Sequence, residues 1–235
     1  MASQGIQHSH GKRRGILCPA RRWLILALLV LALLGIFQPS AAPAAPQEAE
    51  VWVATATGII DPALASYVTH TMQDAAAAEA AALVIQLDTP GGLDSSMRDI
   101  IQAELDCPIP VVIYVSPAGA RAASAGVYIL MGADIAAMAP QTNLGAATPV
   151  ALGGDLDESM QAKATNDAAA YIRGLASASG RNADWAEQAV REAVSLPAPD
   201  ALEQNVVDVV APDLPTLLQA IDGRTTAAKK LTLQT

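Results

Sequence analysis

The 235-residue chain is 52% hydrophobic and 16% charged, with 3% aromatic residues and a single Phe, so its core must be built from Ala, Val, Leu and Ile. That composition excludes a disordered chain, which would be charge-rich and aliphatic-poor, and a net charge of −9 argues against a nucleic-acid binder. Between residues 13 and 228 there is one His (His70) and one Lys (Lys163), which excludes most metal and multi-histidine chemistry, and no cofactor is expected.

The chain opens on a basic leader. Lys12, Arg13, Arg14, Arg21 and Arg22 all precede the first acidic residue, Glu48; without them nine basic residues face 23 acidic ones, a balance of −14. Residues 23–37 (WLILALLVLALLGIF) are uncharged, and Ala42-Pro43-Ala44 offers a small-x-small cleavage site. We read residues 1–44 as a secretory signal peptide. The rival reading is an uncleaved N-terminal membrane anchor, although this run spans about 22 Å as a helix against a ~30 Å hydrocarbon core. The basic residues stay on the cytoplasmic side either way, so the rest of the chain is expected to be exported. Residues 45–50 read as a linker. Beyond the leader Cys107 stands alone, without a partner for an internal disulfide.

Residues 51–57 (VWVATAT) predict a strand. Asp61-Pro62 opens a helix to about residue 80, with Asp as N-cap and Pro at the first helical position. Residues 81–87 (AALVIQL) form a continuous apolar run, the mark of a strand buried on both faces. The break Asp88-Thr89-Pro90-Gly91-Gly92 follows, then a helix over 93–105, a buried strand over 110–115 and a loop at 116–119. Residues 122–131 predict a short helix of small residues and 134–139 a further strand. A loop over 141–154 leads to a long helix over 157–179, then helices at 183–192 and 200–204, a strand at 206–210 and a last helix at 214–221. Residues 223–235 read as a linker-like tail. Strands alternating with helices across short loops imply parallel βαβ units and an α/β domain.

Three features bear on chemistry. Paired glycines after a buried strand, Gly91 and Gly92, let backbone N–H groups point at a ligand, though Pro-Gly-Gly is also a common turn. Ala122-Ala123-Ser124-Ala125-Gly126 is a variant of the G-x-S-x-G elbow with Ala at the first position. At the start of a helix the N–H of Ala125 lacks an intrahelical partner and can supply half of an oxyanion hole; the alternative is a small-residue helix packed closely on the sheet. The third feature is Lys163. A serine nucleophile needs a base, and His70 lies in an Ala-rich helix three elements upstream, which leaves Lys163 as the candidate. A lysine base must be neutral, which requires burial; the alternative is a solvated lysine on a helix.

Together LDTPGG (87–92), IPVVIYVSPAGARAASAG (109–126), AAMAPQTNLGAATPV (136–150) and the 166–182 segment, from NDAAAYIRGLA to SGRN, resemble the NfeD-type membrane-bound serine proteases, distant relatives of the Clp protease and crotonase folds. The resemblance covers residues 51–223, which it makes a Clp-like serine protease domain of stacked βαβ units, a parallel sheet and flanking helices, with 224–235 as a C-terminal tail. It implies that Ser124 is the nucleophile and Lys163 the general base of a Ser-Lys dyad, that the N–H groups of Gly92 and Ala125 bind the oxyanion, and that Pro90, Gly91 and Gly126 belong to the substrate-groove loop. It further implies a hydrophobic, C-terminal segment of a stomatin-like membrane protein as substrate, and a homodimer. The chain stops where many relatives continue into membrane helices and a small β-barrel, which reads as a short form or a truncated sequence. The acidic segment 153–158 reads as mobile. Two other functions stay open: a non-enzymatic partner of a stomatin-like assembly, and an acyl-thioester enzyme sharing the oxyanion hole.

Overall fold

Alternating aliphatic side chains on the central strands separate two apolar layers. The computed structural model describes residues 50–150 and 157–235. The leader and most of the acidic segment lie outside them. The elements are β1 (Val51–Thr57), α1 (Pro62–Ala77), β2 (Ala82–Asp88), α2 (Asp94–Asp106), β3 (Val111–Val115), β4 (Arg121–Ala123), α3 (Ala125–Gly132), β5 (Ile135–Met138), β6 (Asn143–Gly145), α4 (Glu158–Ala178), α5 (Ala183–Arg191), β7 (Ser195–Pro197), α6 (Ala198–Glu203), β8 (Val209–Val210) and α7 (Leu214–Ile221). As expected, Asp61 caps α1 by accepting from the Leu64 N–H, with Pro62 at the first position.

A five-stranded, all-parallel sheet runs in the order β1-β2-β3-β5-β8. Its register sets odd residues of β2 and β3 (Leu83, Ile85, Leu87; Val111, Ile113, Val115) against the larger core, which α1 to α5 cover. The alternate residues, Val84, Val112 and Tyr114, face a smaller core closed by α7 and Leu233. Burying each such aliphatic contributes roughly 1.5–3 kcal/mol, which is how a chain so poor in aromatics holds its sheet. Tyr114 also donates its hydroxyl to the Ala211 carbonyl at 2.7 Å.

Three features differ from the expectations. The 141–154 loop contains a strand, β6, which joins β4 in parallel and β7 in antiparallel fashion to make a second sheet. The chain over 122–131 is not helical throughout: β4 ends at Ala123 and the helix begins at Ala125. The last twelve residues fold back, with a Thr225–Thr232 bridge, Leu233 fully buried and Lys229 on Asp134 at 2.6 Å. Apolar Leu233 covers sheet surface that would otherwise face water, which is why the segment packs.

The second sheet positions the turn at Ser124. Residues 89–92 leave β2 and cross the C-terminal edge of the large sheet, with Thr89 bridging Ala122 and Gly92 bridging Ile60. Helix α3 (AGVYILMG) is buried on every side, as its uniformly apolar sequence requires. Its C-terminal carbonyls, Leu130 and Met131, accept from Arg181, whose fully buried guanidinium also pairs with Asp208 at 2.7 Å. The SGRN segment thus anchors the far end of the helix that begins beside Ser124.

Candidate active site

Ser124 occupies the single residue between β4 and α3. Its backbone lies at φ 52°, ψ −117°, a conformation that costs a non-glycine residue about 1–3 kcal/mol and persists only where the surroundings dictate it. Here they do. The Ser124 N–H donates to the Gly145 carbonyl at 3.2 Å, the Ala123 N–H to the Thr89 carbonyl at 3.1 Å, and the Val127 N–H to the Ser124 carbonyl at 3.0 Å. The turn is a strand-to-helix elbow that lifts the hydroxyl out of the sheet, and that hydroxyl has no hydrogen-bond partner among the described residues.

The loop after β2 closes over it. Thr89 Oγ1 accepts from the Gly91 N–H at 3.0 Å, folding the chain into a tight turn, and Gly91 takes φ 112°. A Cβ on Gly91 would lie 2.6 Å from the Ser124 Cβ, so only glycine permits this approach. Gly92 lies just as close to Ile60, where a Cβ would come within 2.1 Å of the carbonyl oxygen. Gly92, Ser124 and Ala125 together line a cavity of about 250 Å³ whose other walls are Leu93, Asp94, Met97, Tyr128, Ala147, Pro149, Val150 and Ala168. The N–H groups of Gly92 and Ala125 donate to no other group among the described residues, which leaves two donors free on residues that line the cavity with Ser124.

The remaining expected residues fall elsewhere. Pro90 is exposed at the apex of the turn, and Gly126 lies beneath it, where a Cβ would meet Thr89 Cγ2 at 2.6 Å. Gly126 therefore serves the packing of α3 against the end of β2, and neither residue lines the cavity. Lys163 is exposed on the second turn of α4 and forms no ion pair among the described residues. It is absent from the cavity lining, to which α4 contributes Ala168. His70 is exposed on α1, its Nδ1 donating to the Ser66 carbonyl at 2.7 Å, and belongs to another part of the surface.

Residues that sequence reasoning missed surround the cavity. Tyr128 forms part of its wall and donates its hydroxyl to the Ala147 carbonyl at 3.0 Å; burial pushes its phenol pKa up, so it stays a neutral donor. Its ring stacks on Tyr171 at 6.3 Å between centroids. Tyr171 lay in a quoted segment and Tyr128 two residues beyond one, but only the fold shows that two helices bring them together. A larger groove of about 520 Å³ between α1 and α2 includes Cys107, a buried thiol that desolvation keeps protonated and unreactive.

The chain is 44% identical over 163 residues to the membrane-bound protease PH1510 of Pyrococcus horikoshii, covering 68% of this chain and 36% of that protein. It thus spans about a third of the length of the relatives it matches. Among solved structures it superposes on the 1510-N membrane-bound stomatin-specific protease, in a serine-to-alanine variant, with TM-score 0.75 and 38% identity over 80% of this chain and 93% of that one. A lysine-to-alanine variant of that protease, in complex with a substrate peptide, matches with TM-score 0.74 and 37% identity, covering 80% of this chain and 89% of the other. ClpP1 from Listeria monocytogenes, 16% identical with TM-score 0.58 over 70% of this chain and 94% of its own, shares the fold. The architecture is Clp-like, and residues 50–214 match the NfeD1b N-terminal domain: the chain belongs to that family.

Proposed function

We propose that the chain is a serine endopeptidase that cuts apolar segments of membrane-associated, stomatin-like proteins, with Ser124 as nucleophile and Lys163 as general base. The observation that carries this reading is the strained elbow at Ser124, facing an apolar cavity beside the N–H groups of Gly92 and Ala125, which have no partner among the described residues. Neutral Lys163 takes the Ser124 Oγ proton as Oγ attacks the scissile carbonyl, and the two N–H groups stabilise the oxyanion. The C–N bond then breaks as the lysine returns its proton to the leaving amine, and water hydrolyses the acyl-enzyme with the same base. This mechanism requires that bound peptide cover Lys163 and remove it from water, which is the condition for a neutral amine. The stomatin-like substrate is suggested by the relative's specificity and by the apolar wall of Leu93, Met97 and Val150. The basic leader supports action on the outer side of the membrane.

The test is to incubate the purified chain with an apolar peptide and with a fluorophosphonate probe. Cleavage, and labelling confined to Ser124, are expected. A folded chain that neither cuts nor is labelled overturns the reading. The exposure of Lys163 favours one second reading, a binding-only partner of a stomatin-like assembly. Peptide bound without being cut, equally well by wild type and Lys163→Ala, would select it.

A further inference from the structure

The half of α4 that carries Lys163 has no buried side chain: the buried positions of this helix are Ala168, Ala169, Ile172, Leu175 and Ala176. Apolar packing therefore fixes the C-terminal half and leaves the first ten residues to polar contacts. Gln161 donates to the Pro149 carbonyl at 3.1 Å and Arg191 to Asn166 at 2.8 Å, both from the side of the 146–150 segment and α5. The contact from the opposite side is made by Arg98. Its Nη2 donates to Asp167 Oδ2 at 2.9 Å and its Nε to Asp94 Oδ2 at 2.9 Å. The guanidinium also lies 4.4 Å over the Tyr171 ring, which stacks on Tyr128 in the cavity wall.

Asp94 begins α2, two residues after Gly92, and lines the cavity. Asp167 lies one helical turn after Lys163, so the two share a face of α4. Arg98 consequently ties the oxyanion-side helix to the face of α4 that presents the lysine. We propose that Arg98 is a positioning residue: by clamping Asp167 and Tyr171 it fixes the N-terminal half of α4, from which Lys163 must reach Ser124 once a peptide is bound, an inference that rests on the endopeptidase reading. Lysine would replace it only in part, because its ammonium lacks the planar fork that pairs with two carboxylates while stacking flat on a ring. An isolated exposed ion pair contributes little to stability; the role of this clamp is geometric, and a misplacement near 1 Å at a catalytic group costs on the order of 100-fold.

The test measures peptide turnover and the rate of Ser124 labelling by a fluorophosphonate in wild type, Arg98→Ala, Arg98→Lys and Asp167→Asn, each also in a Lys163→Ala background. Arg98→Ala and Asp167→Asn should lower kcat and the labelling rate about 10- to 100-fold, with KM changed less than about threefold, and Arg98→Lys should recover only part of the loss. In the Lys163→Ala background the same changes should have no further effect on labelling. Asp167→Asn, at an exposed carboxylate, keeps the test readable if Arg98→Ala misfolds. Wild-type rates in the Arg98 and Asp167 variants, or the same fold-loss with and without Lys163, would overturn the clamp. A wild type that is folded but unlabelled at Ser124 would instead overturn the endopeptidase reading beneath it.

Discussion

Around Ser124 the backbone is held by main-chain hydrogen bonds from three neighbouring segments, Thr89, Gly145 and its own helix, and the glycines beside it leave no room for a Cβ. The first half of α4 has neither feature: no side chain is buried, and its position rests on Gln161, Asn166 and Asp167. The proposed nucleophile and oxyanion donors are therefore preorganised by the crossing of two sheets, whereas the proposed base is adjustable. Such a division suits an enzyme that must exclude water only when substrate is present: the costly geometry is built into the fold, and the desolvation of the lysine is left to the peptide.

The largest expected effects test both sides of this contrast. Ser124→Ala should abolish turnover and labelling, and Lys163→Ala should reduce turnover by on the order of 1,000-fold or more, while leaving the melting temperature unchanged because the side chain is exposed. A Lys163→Ala variant that keeps full kcat would break the comparison at its second term.

Gly92→Ala comes next. Its Cβ would press within 2.1 Å of the Ile60 carbonyl oxygen, an atom that accepts from the Leu93 N–H. The backbone must move, so chemical denaturation should show a loss of about 3 kcal/mol or more. Replacing Lys163 by Ala or Gln should stay within about 0.5 kcal/mol by the same measurement. Equal effects at the two positions would mean that the elbow is no more tightly determined than the helix.

Glu104 sharpens the contrast from the core side. It is fully buried and neither oxygen finds a partner among the described residues. Burial, reinforced by Asp134 and opposed by Lys229 and Arg181, pushes its pKa well above the usual carboxylate range. With the folded pKa raised, the unfolded chain releases the proton first. Stability is then complete below the unfolded value of about 4.3 and declines as pH rises toward the folded value, by up to about 1.4 kcal/mol per pH unit. Glu104→Gln should therefore raise the melting temperature at neutral pH, by an amount that disappears near pH 4; a pH-independent difference would refute the sign.

Much of the large sheet was legible because its determinants are local. The apolar runs of β2 and β3 and the Asp61-Pro62 start of α1 each register within a dozen residues. The small sheet was not legible, since β4, β6 and β7 are three-residue strands without alternation, specified by pairing across long sequence separations. The same limit applies at the site. Ser124, Gly92 and Ala125 could be picked out from adjacent glycines and a small-residue elbow. Tyr128 and the Arg98–Asp167 contact depend on helices brought together by the fold, and 69 positions separate the latter pair. The tail misled because its one core residue, Leu233, sits among polar neighbours without periodicity.

The smallest effect bears most directly on the elbow. If Ser124 is held against its own conformational preference at φ 52°, ψ −117°, then removing the hydroxyl and removing the Cβ must differ. Ser124→Ala retains the strain, because the clash belongs to the Cβ, whereas Ser124→Gly relieves about 1–3 kcal/mol of it. Glycine gives back roughly 0.5–1 kcal/mol through the greater freedom of the unfolded chain. The glycine variant should therefore be more stable than the alanine variant by about 1 kcal/mol, a difference of about 2–4 °C in melting temperature for a domain of this size. Both variants lack the Ser124 hydroxyl, so activity cannot confuse the comparison. An alanine variant as stable as the glycine one would show that the turn accommodates its side chain without strain, and would remove the reason for treating the elbow as geometry maintained for chemistry.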